Sequence, residues 1–338
     1  MKIAILTPTF SHFSGIDRLV EQKTKELVEH GHTVDIFALS ASIKPKKAGL
    51  HIMGMPKTPF FQRLYRLLMF LDIKKIKKYS SILKNYDLII SHLYPMNILA
   101  CSAKRKNKKL KYIYHNAGVG ITDEYSLFEK LYLKIFNFLT NSTIRNADEV
   151  ISISNFLRQE LKKETGIDSK VEYVHVDKKR FHNKIDSKKI RKRYNIKNEP
   201  VLLYVGRISP HKGIHLLIES FKIVQKEYPK SKLIIAGKHT FPNYTKKLKK
   251  LSNKNVIFTG FIDDKELPYY YAACDIYTTA SLWEGFDIPV VESNLTGKPA
   301  VAFDVGSHKE VLKKGILVKA NDTKAFAETI IELLRKKP

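Results

Sequence analysis

Cysteine is scarce in this chain of 338 residues: Cys101 and Cys274 stand far apart and in no metal-type spacing. That excludes a disulfide framework and fits free thiols in a reducing compartment. Long apolar runs are missing too. No uninterrupted stretch of about 18 apolar residues occurs, so no membrane-spanning helix is expected. The opening Met-Lys-Ile-Ala-Ile-Leu-Thr-Pro is too short in its apolar part for a signal peptide, so a cytoplasmic protein is expected. Acidic residues are few, 33 against 60 Lys and Arg, which leaves a net charge of +27. Such an excess implies an anionic partner: nucleic acid, an anionic membrane surface or phosphorylated substrates. Most of it is Lys, whereas bidentate recognition of phosphates and bases favours Arg. Neither an aromatic-basic stacking surface nor a recognition helix is evident, so no specific nucleic-acid partner is expected. The Gly-x-x-x-x-Gly-Lys-Ser/Thr nucleotide loop is absent. No Asp/His group has metal-site spacing, and no metal or cofactor is expected.

What is present is an alternation of apolar strands and amphipathic helices. Hydrophobic content of 43% supports a folded chain, and its length allows two domains. Lys2-Ile-Ala-Ile-Leu-Thr7 reads as a buried parallel strand. A loop to Gly15, a helix from Ile16 to His30 and a strand from His32 to Ala38 complete a βαβ opening. Gly15, just ahead of a helix N-terminus, can approach a phosphate closely. A strand at Leu50–Gly54, one long helical segment from Phe60 to Lys84, and strands at Asp87–Ser91 and Lys111–His115 follow. Helices are expected at Met96–Lys106 and over most of Asp123–Asn146. Then come strands at Glu149–Ser154 and Val171–Val176. Residues 177–199 are polar and basic and read as a connection. Val201-Leu-Leu-Tyr-Val-Gly206 starts a second alternating series that runs to the helix Thr323–Arg335. The expected organisation is α/β, with two doubly wound Rossmann-like lobes, 1–176 and 200–338, facing a central cleft. In such sheets ligands lie beyond the carboxyl ends of the strands.

Three loops in the second half carry chemistry. Gly206-Arg-Ile-Ser-Pro-His-Lys-Gly213 follows a strand and opens a helix. Arg207 and Lys212 are two cations beside that helix N-terminus, which suits a diphosphate. Thr259-Gly-Phe-Ile262 is the second loop. The third is Ser281-Leu-Trp-Glu-Gly-Phe-Asp-Ile-Pro-Val-Val-Glu292, again strand, loop and helix, with Pro289 in the first helical turn. Glu284 lies in the loop and Glu292 within the helix. One can grip a polyol near the loop and the other a second diol, with a diphosphate between them.

This series resembles the retaining glycosyltransferases of the GT-B fold, family 4. Lys111–His115, Ala147–Ser154 and Val176–Phe181 match family motifs in the first half. The resemblance implies transfer of a hexose from a nucleotide-sugar donor to a glycan or lipid-linked acceptor, with retention and without a metal. It assigns the first lobe to the acceptor and the second to the donor. It implies that Arg207 and Lys212 hold the donor diphosphate beside Gly206, and that Glu292 accepts the ribose hydroxyls. Glu284 would face the donor sugar, and the backbone at Phe286, Asp287 and Ile288 would line sugar and phosphates. The backbone near Phe261 and Ile262 would meet the nucleobase, and His115 would lie near the reacting sugar. The family loop usually reads Gly-Phe-Gly, but its third position here is Asp287. The usual opening Gly-Gly is Ser14-Gly15. Competing readings are a non-catalytic, basic nucleic-acid-binding protein and a nucleotide-sugar epimerase of the same fold. A phosphorylase lacks its pyridoxal-phosphate lysine context.

One further segment stands out. In residues 60–79, Phe60, Leu64, Leu67, Leu68 and Leu71 recur at helical spacing, beside Arg63, Arg66, Lys74, Lys77 and Lys78. Such a helix can lie on an anionic bilayer. This adds a peripheral place on the inner face of the membrane to the expectation.

Overall fold

The structure, a computed structural model, describes residues 1–11 and 15–336. The chain divides into two compact units, Met1–Ile121 with Ser126–Tyr173, and Thr122–Tyr125 with Val174–Pro338. Ser14 lies outside the described residues.

In the first unit the strands are β1 Lys2–Phe10, β2 Thr33–Ala41, β3 Gly49–Ile52, β4 Leu88–His92, β5 Lys111–Asn116, β6 Glu149–Ser152 and β7 Lys170–Val171. The helices are α1 Gly15–Glu29, α2 Pro59–Leu68, α3 Ile73–Leu83, α4 Met96–Lys106, α5 Leu127–Ile144 and α6 Asn155–Thr165. The strands form one sheet in the order β3-β2-β1-β4-β5-β6-β7, with every pairing parallel. Parallel sheets are covered on both faces, so their strands are apolar at successive positions rather than at alternate ones. Ala4 and Leu6 join one core cluster with Phe37 and Ile89. Ile3 and Ile5 join the other with Ile36 and Ile90.

The single helix expected from Phe60 to Lys84 is broken. A short 3-10 turn, Met69–Leu71, separates α2 from α3. The break lies at Asp72, whose carboxylate caps α3 by accepting from the Lys75 N–H at 3.0 Å and also accepts from the Tyr65 hydroxyl at 2.9 Å. β1 runs three residues beyond Thr7, because Thr9 and Phe10 still pair with β2. The strand expected at Val171–Val176 shrinks to β7, since only Lys170 and Val171 find partners on β6.

The second unit holds α7 Lys188–Arg193, β8 Val201–Val205, α8 Ile214–Glu227, β9 Lys232–Ala236, α9 Pro242–Leu251, β10 Val256–Gly260, α10 Leu267–Ala273, β11 Ile276–Thr279, α11 Ile288–Leu295, β12 Ala300–Phe303, α12 His308–Val311, β13 Gly315–Val318 and α13 Thr323–Arg335. Its sheet is also parallel throughout, in the order β10-β9-β8-β11-β12-β13. The connection expected at 177–199 packs into this unit. Phe181, Ile190 and Ile196 are buried against Leu203 and Tyr271, and the Arg191 guanidinium donates to Asp275 at 3.1 Å. In each sheet the strand order reverses direction once, between β1 and β4 and between β8 and β11, where doubly wound folds open a crevice.

Candidate active site

The second unit builds its site on the loops after β8 and β11, on either side of that reversal. A 3-10 turn, Pro210–Lys212, follows β8 and ends at Gly213. Gly213 has φ +59, and a Cβ there would lie 1.9 Å from the Ala280 carbonyl oxygen. Only glycine permits both the conformation and the approach. The turn is thereby pressed onto the end of β11, and the Leu282 N–H donates to the His211 carbonyl at 2.9 Å. Gly306 does the same from the other side, with φ +55 and a Cβ position 2.2 Å from the Glu284 carbonyl oxygen. The Ser307 N–H then donates to that carbonyl at 3.0 Å. Two loops therefore hold Glu284 in place.

The side chains gathered here alternate in charge. The Lys212 ammonium donates to Glu284 Oε1. Glu284 is 6% exposed and Asp287 4%. Burial pushes the Glu284 carboxyl above its usual range, against the pull of Lys212 and with the push of Asp287. His308 is fully buried at the start of α12. Its Nδ1 donates to the Phe303 carbonyl at 2.6 Å and its Nε2 to Asp287 Oδ2 at 3.1 Å. A ring with both nitrogens facing oxygen acceptors is an imidazolium. Burial works against that charge, but Asp287, Glu284 and the Phe303 carbonyl overcome it and hold the pKa above its ordinary value. Tyr204 and Tyr277, beside the two acids, are pushed up first by burial and then by those charges.

Asp287 occupies the N-cap position of α11, yet its side chain makes no capping hydrogen bond. An Asp there ordinarily accepts from the first turn. Here His308 draws it away. The N-terminus of α8 is covered differently: the His215 N–H donates to the Tyr244 hydroxyl at 3.2 Å. The N-terminus of α11, left without a side-chain cap, favours an anion through its dipole. Arg207 is exposed and makes no ion pair among the described residues. His211 is held neutral: burial, then Lys212 and Arg207, push it down to about 2. The Tyr125 hydroxyl lies 2.6 Å from its Nδ1.

Glu292 is buried one turn into α11, and its Oε2 accepts from the Tyr271 hydroxyl at 2.7 Å. Phe261, just past β10, is 47% exposed; Ile262, Phe286 and Ile288 are half-buried. Gly15 and His115 belong to the first unit. Gly15 is the exposed first residue of α1. His115, next to last in β5, stands edge-on to His92 of β4, ring centroids 5.1 Å apart. Both are buried, and none of their four ring nitrogens has a hydrogen-bond partner among the described residues. Burial, with Lys23, pushes His115 down to about 4.

Glu284, Asp287 and His308 each offer one donor atom within 4.8 Å of the others. By donor type they could hold a divalent cation. Lys212 already sits on Glu284, however, and both His308 nitrogens face protein oxygens, so the trio is balanced within itself. Sequence reading missed His308, His211 and Tyr125. A His308–Asp287 contact spans 21 residues and leaves no spacing motif.

The glycosyltransferase family 4 model matches residues 13–176, and that of glycosyl transferases group 1 matches residues 186–338. The chain belongs to these glycosyltransferases. Alpha-monoglucosyldiacylglycerol synthase of Streptococcus pneumoniae is 26% identical over 315 residues, 89% of this chain and 71% of that protein. The fold is that of sucrose-phosphate synthase from Thermosynechococcus elongatus, with a TM-score of 0.81, 21% identity and coverage of 99% and 90%. HepE from Anabaena, solved in complex with UDP-glucose, superposes with a TM-score of 0.80, 22% identity and the same coverage. This glycosyltransferase thus has the two-lobed GT-B architecture expected of it. Among its described residues no helix is long and apolar enough to cross a membrane.

Proposed function

We propose that this glycosyltransferase moves a hexose from a nucleoside-diphosphate sugar to a glycan or lipid-linked acceptor, with retention of configuration and without a metal. The observation that carries the reading is the buried Lys212–Glu284 pair on the loops after β8 and β11, ahead of the α11 N-terminus that has no side-chain cap. When the bond between sugar and diphosphate breaks, negative charge develops on the leaving phosphate. Arg207, Lys212 and the N-terminus of α11 stabilise it where it forms. Glu284 accepts from hydroxyls of the sugar. Glu292, fixed by Tyr271, holds the ribose. The leaving phosphate oxygen takes the proton of the attacking hydroxyl, so no separate base is assigned. Hydrolysis and binding across a panel of nucleotide sugars tests the donor. Absence of both for every donor would refute the reading.

The first unit is proposed to receive the acceptor and to meet an anionic membrane. No side chain of α2 is buried. Phe60, Phe61, Leu64 and Leu71 are exposed, and on α5 so are Leu127, Phe128, Leu131 and Phe138. Arg63 of α2 lies 3.9 Å from Glu129 of α5, so the two apolar stripes are neighbours. Apolar side chains flanked by Lys and Arg favour a lipid surface of negative charge. Protein in solution would leave this much apolar surface wet.

A further inference from the structure

Asp287 stands where the family loop usually has glycine, and it does not stand alone. Its carboxylate is nearly buried, gives up the capping role open to it, and binds His308 with one oxygen. The other oxygen makes no hydrogen bond among the described residues. Glu284 repeats the pattern: Lys212 holds Oε1, and Oε2 is unbonded among the described residues. Neither oxygen is among the buried atoms that lack a partner, so both stay open to water, and a ligand hydroxyl can take that water's place. The two carboxylates lie within 4.8 Å of each other. That separation suits hydroxyls on neighbouring carbons.

We propose that Asp287, positioned by His308, is a specificity-determining residue that together with Glu284 accepts hydrogen bonds from two adjacent hydroxyls of the donor sugar. The proposal rests on the reading of this site as a nucleotide-sugar site. The cluster also says which sugars suit it. Two cations, Lys212 and His308, stand against two anions, Glu284 and Asp287, so the cluster is neutral as it is. An uncharged diol fills the unused acceptor positions and leaves that balance intact. A uronic acid would bring a third carboxylate beside Glu284 and Asp287, whose two cations are already paired. The favoured donor class is therefore a neutral hexose with a vicinal diol, and uronic acid donors are excluded.

The test compares the full-length parent, Asp287→Asn, Asp287→Gly and His308→Phe. Steady-state turnover is measured with the best nucleotide-hexose of a panel, its monodeoxy analogues and the corresponding nucleotide-uronic acid. Binding of the free nucleoside diphosphate is followed by calorimetry. Asp287→Asn and Asp287→Gly should each lower kcat/KM for the hexose about tenfold or more, as expected for a hydrogen bond to a charged group. One monodeoxy donor should be poor for the parent and lose nothing further in the Asp287 variants. Nucleoside diphosphate affinity should not fall in the Asp287 variants, because they remove a negative charge beside the N-terminus of α11 that is proposed to meet the phosphates. His308→Phe, if folded by circular dichroism, should reproduce the Asp287 profile although it does not touch the sugar. The Asp287 variants, which keep the buried ring, carry the test without it. If both Asp287 variants retain the parent's donor preference, or every deoxy donor loses equally in parent and variants, the proposal is overturned. A parent that prefers the uronic acid overturns it too. A parent that binds no nucleotide sugar at all overturns the underlying reading and this one with it. A parent that turns donors over normally, with variants indistinguishable from it, overturns this proposal alone.

Discussion

Replacing Lys212 with alanine removes the cation from a carboxylate that has almost no solvent of its own. The side chains of Lys212 and Glu284 are 17% and 8% exposed. Breaking a buried pair that must keep its charge costs about 3–5 kcal/mol. Glu284 has a cheaper route, because burial already raises its pKa. It can take up a proton. From an ordinary carboxyl value of 4.5, protonation at pH 7 spans 2.5 pH units at about 1.36 kcal/mol each, so the loss is capped at about 3.4 kcal/mol. The sign follows from linkage. In the variant the folded pKa lies above the unfolded one, so the folded state binds the extra proton. The penalty is then nearly absent below pH 4.5 and grows as pH rises towards the folded pKa. Trp283, the only tryptophan of the chain, is half-buried next to Glu284 and reports unfolding of this unit. Urea unfolding followed by its fluorescence should show a variant close to the parent at pH 5 and about 2–3 kcal/mol weaker at pH 7.5. Adding Glu284→Gln to the variant should recover most of the loss, since no charge is then stranded. A penalty that is the same at both pH values, or a double variant weaker than Lys212→Ala alone, would refute the charge-balance account.

Four shorter tests address the remaining assignments. Glu292→Ala should weaken calorimetric binding of free nucleotide by about 1.5–3 kcal/mol, whereas Glu284→Ala should leave it intact and reduce turnover. Transfer should continue in EDTA; activity that disappears with the chelator and returns with magnesium would contradict the proposed role of Arg207 and Lys212. His308 should remain doubly protonated by NMR at a pH where an exposed histidine is half neutral. Its contribution to stability should be complete below pH 6.5 and fade as pH rises through its elevated folded pKa. Co-sedimentation with anionic liposomes should be strong at low salt, and weaker with neutral liposomes, at high salt, or after Lys74, Lys75, Lys77 and Lys78 are changed to Gln.

Most strands were readable because a strand buried on both faces must be apolar at successive positions, as in Ile3–Leu6 and Val201–Tyr204. Boundaries failed where a partner, not the local sequence, decides. The register with β6 stops at Val171, and the Glu172 N–H donating to the Ser152 carbonyl at 3.0 Å is the last bond to that strand among those described. The break between α2 and α3 was hidden because the apolar period continues across it. Asp72 stops the helix through its bonds to Tyr65 and to the Lys75 N–H. In the candidate site, residue types announced their chemistry: Lys212 and Glu284 are a cation and an acid on loops after strands. That they touch depends on Gly213 and Gly306, which read as ordinary turn glycines until the approach of 1.9 Å to Ala280 and of 2.2 Å to Glu284 is known.

Asp287 shows what such a reading cannot supply. By itself it is an intrusion: a charged side chain in a loop position that the family resemblance assigns to glycine. With His308 it becomes half of a pair, and the pair constrains both positions. Asp287→Gly alone strands a buried imidazolium, which must then lose its proton or its packing. Replacing His308 alone strands a buried carboxylate beside Glu284, a second one. Either single change therefore costs more than its own contacts, whereas removing both charges together costs less than the two added. The two residues, 21 apart in sequence and joined at 3.1 Å, form one unit of substitution. Measured stabilities of the two single variants and the double variant should be non-additive in that direction. Strict additivity would mean that the two charges do not depend on each other.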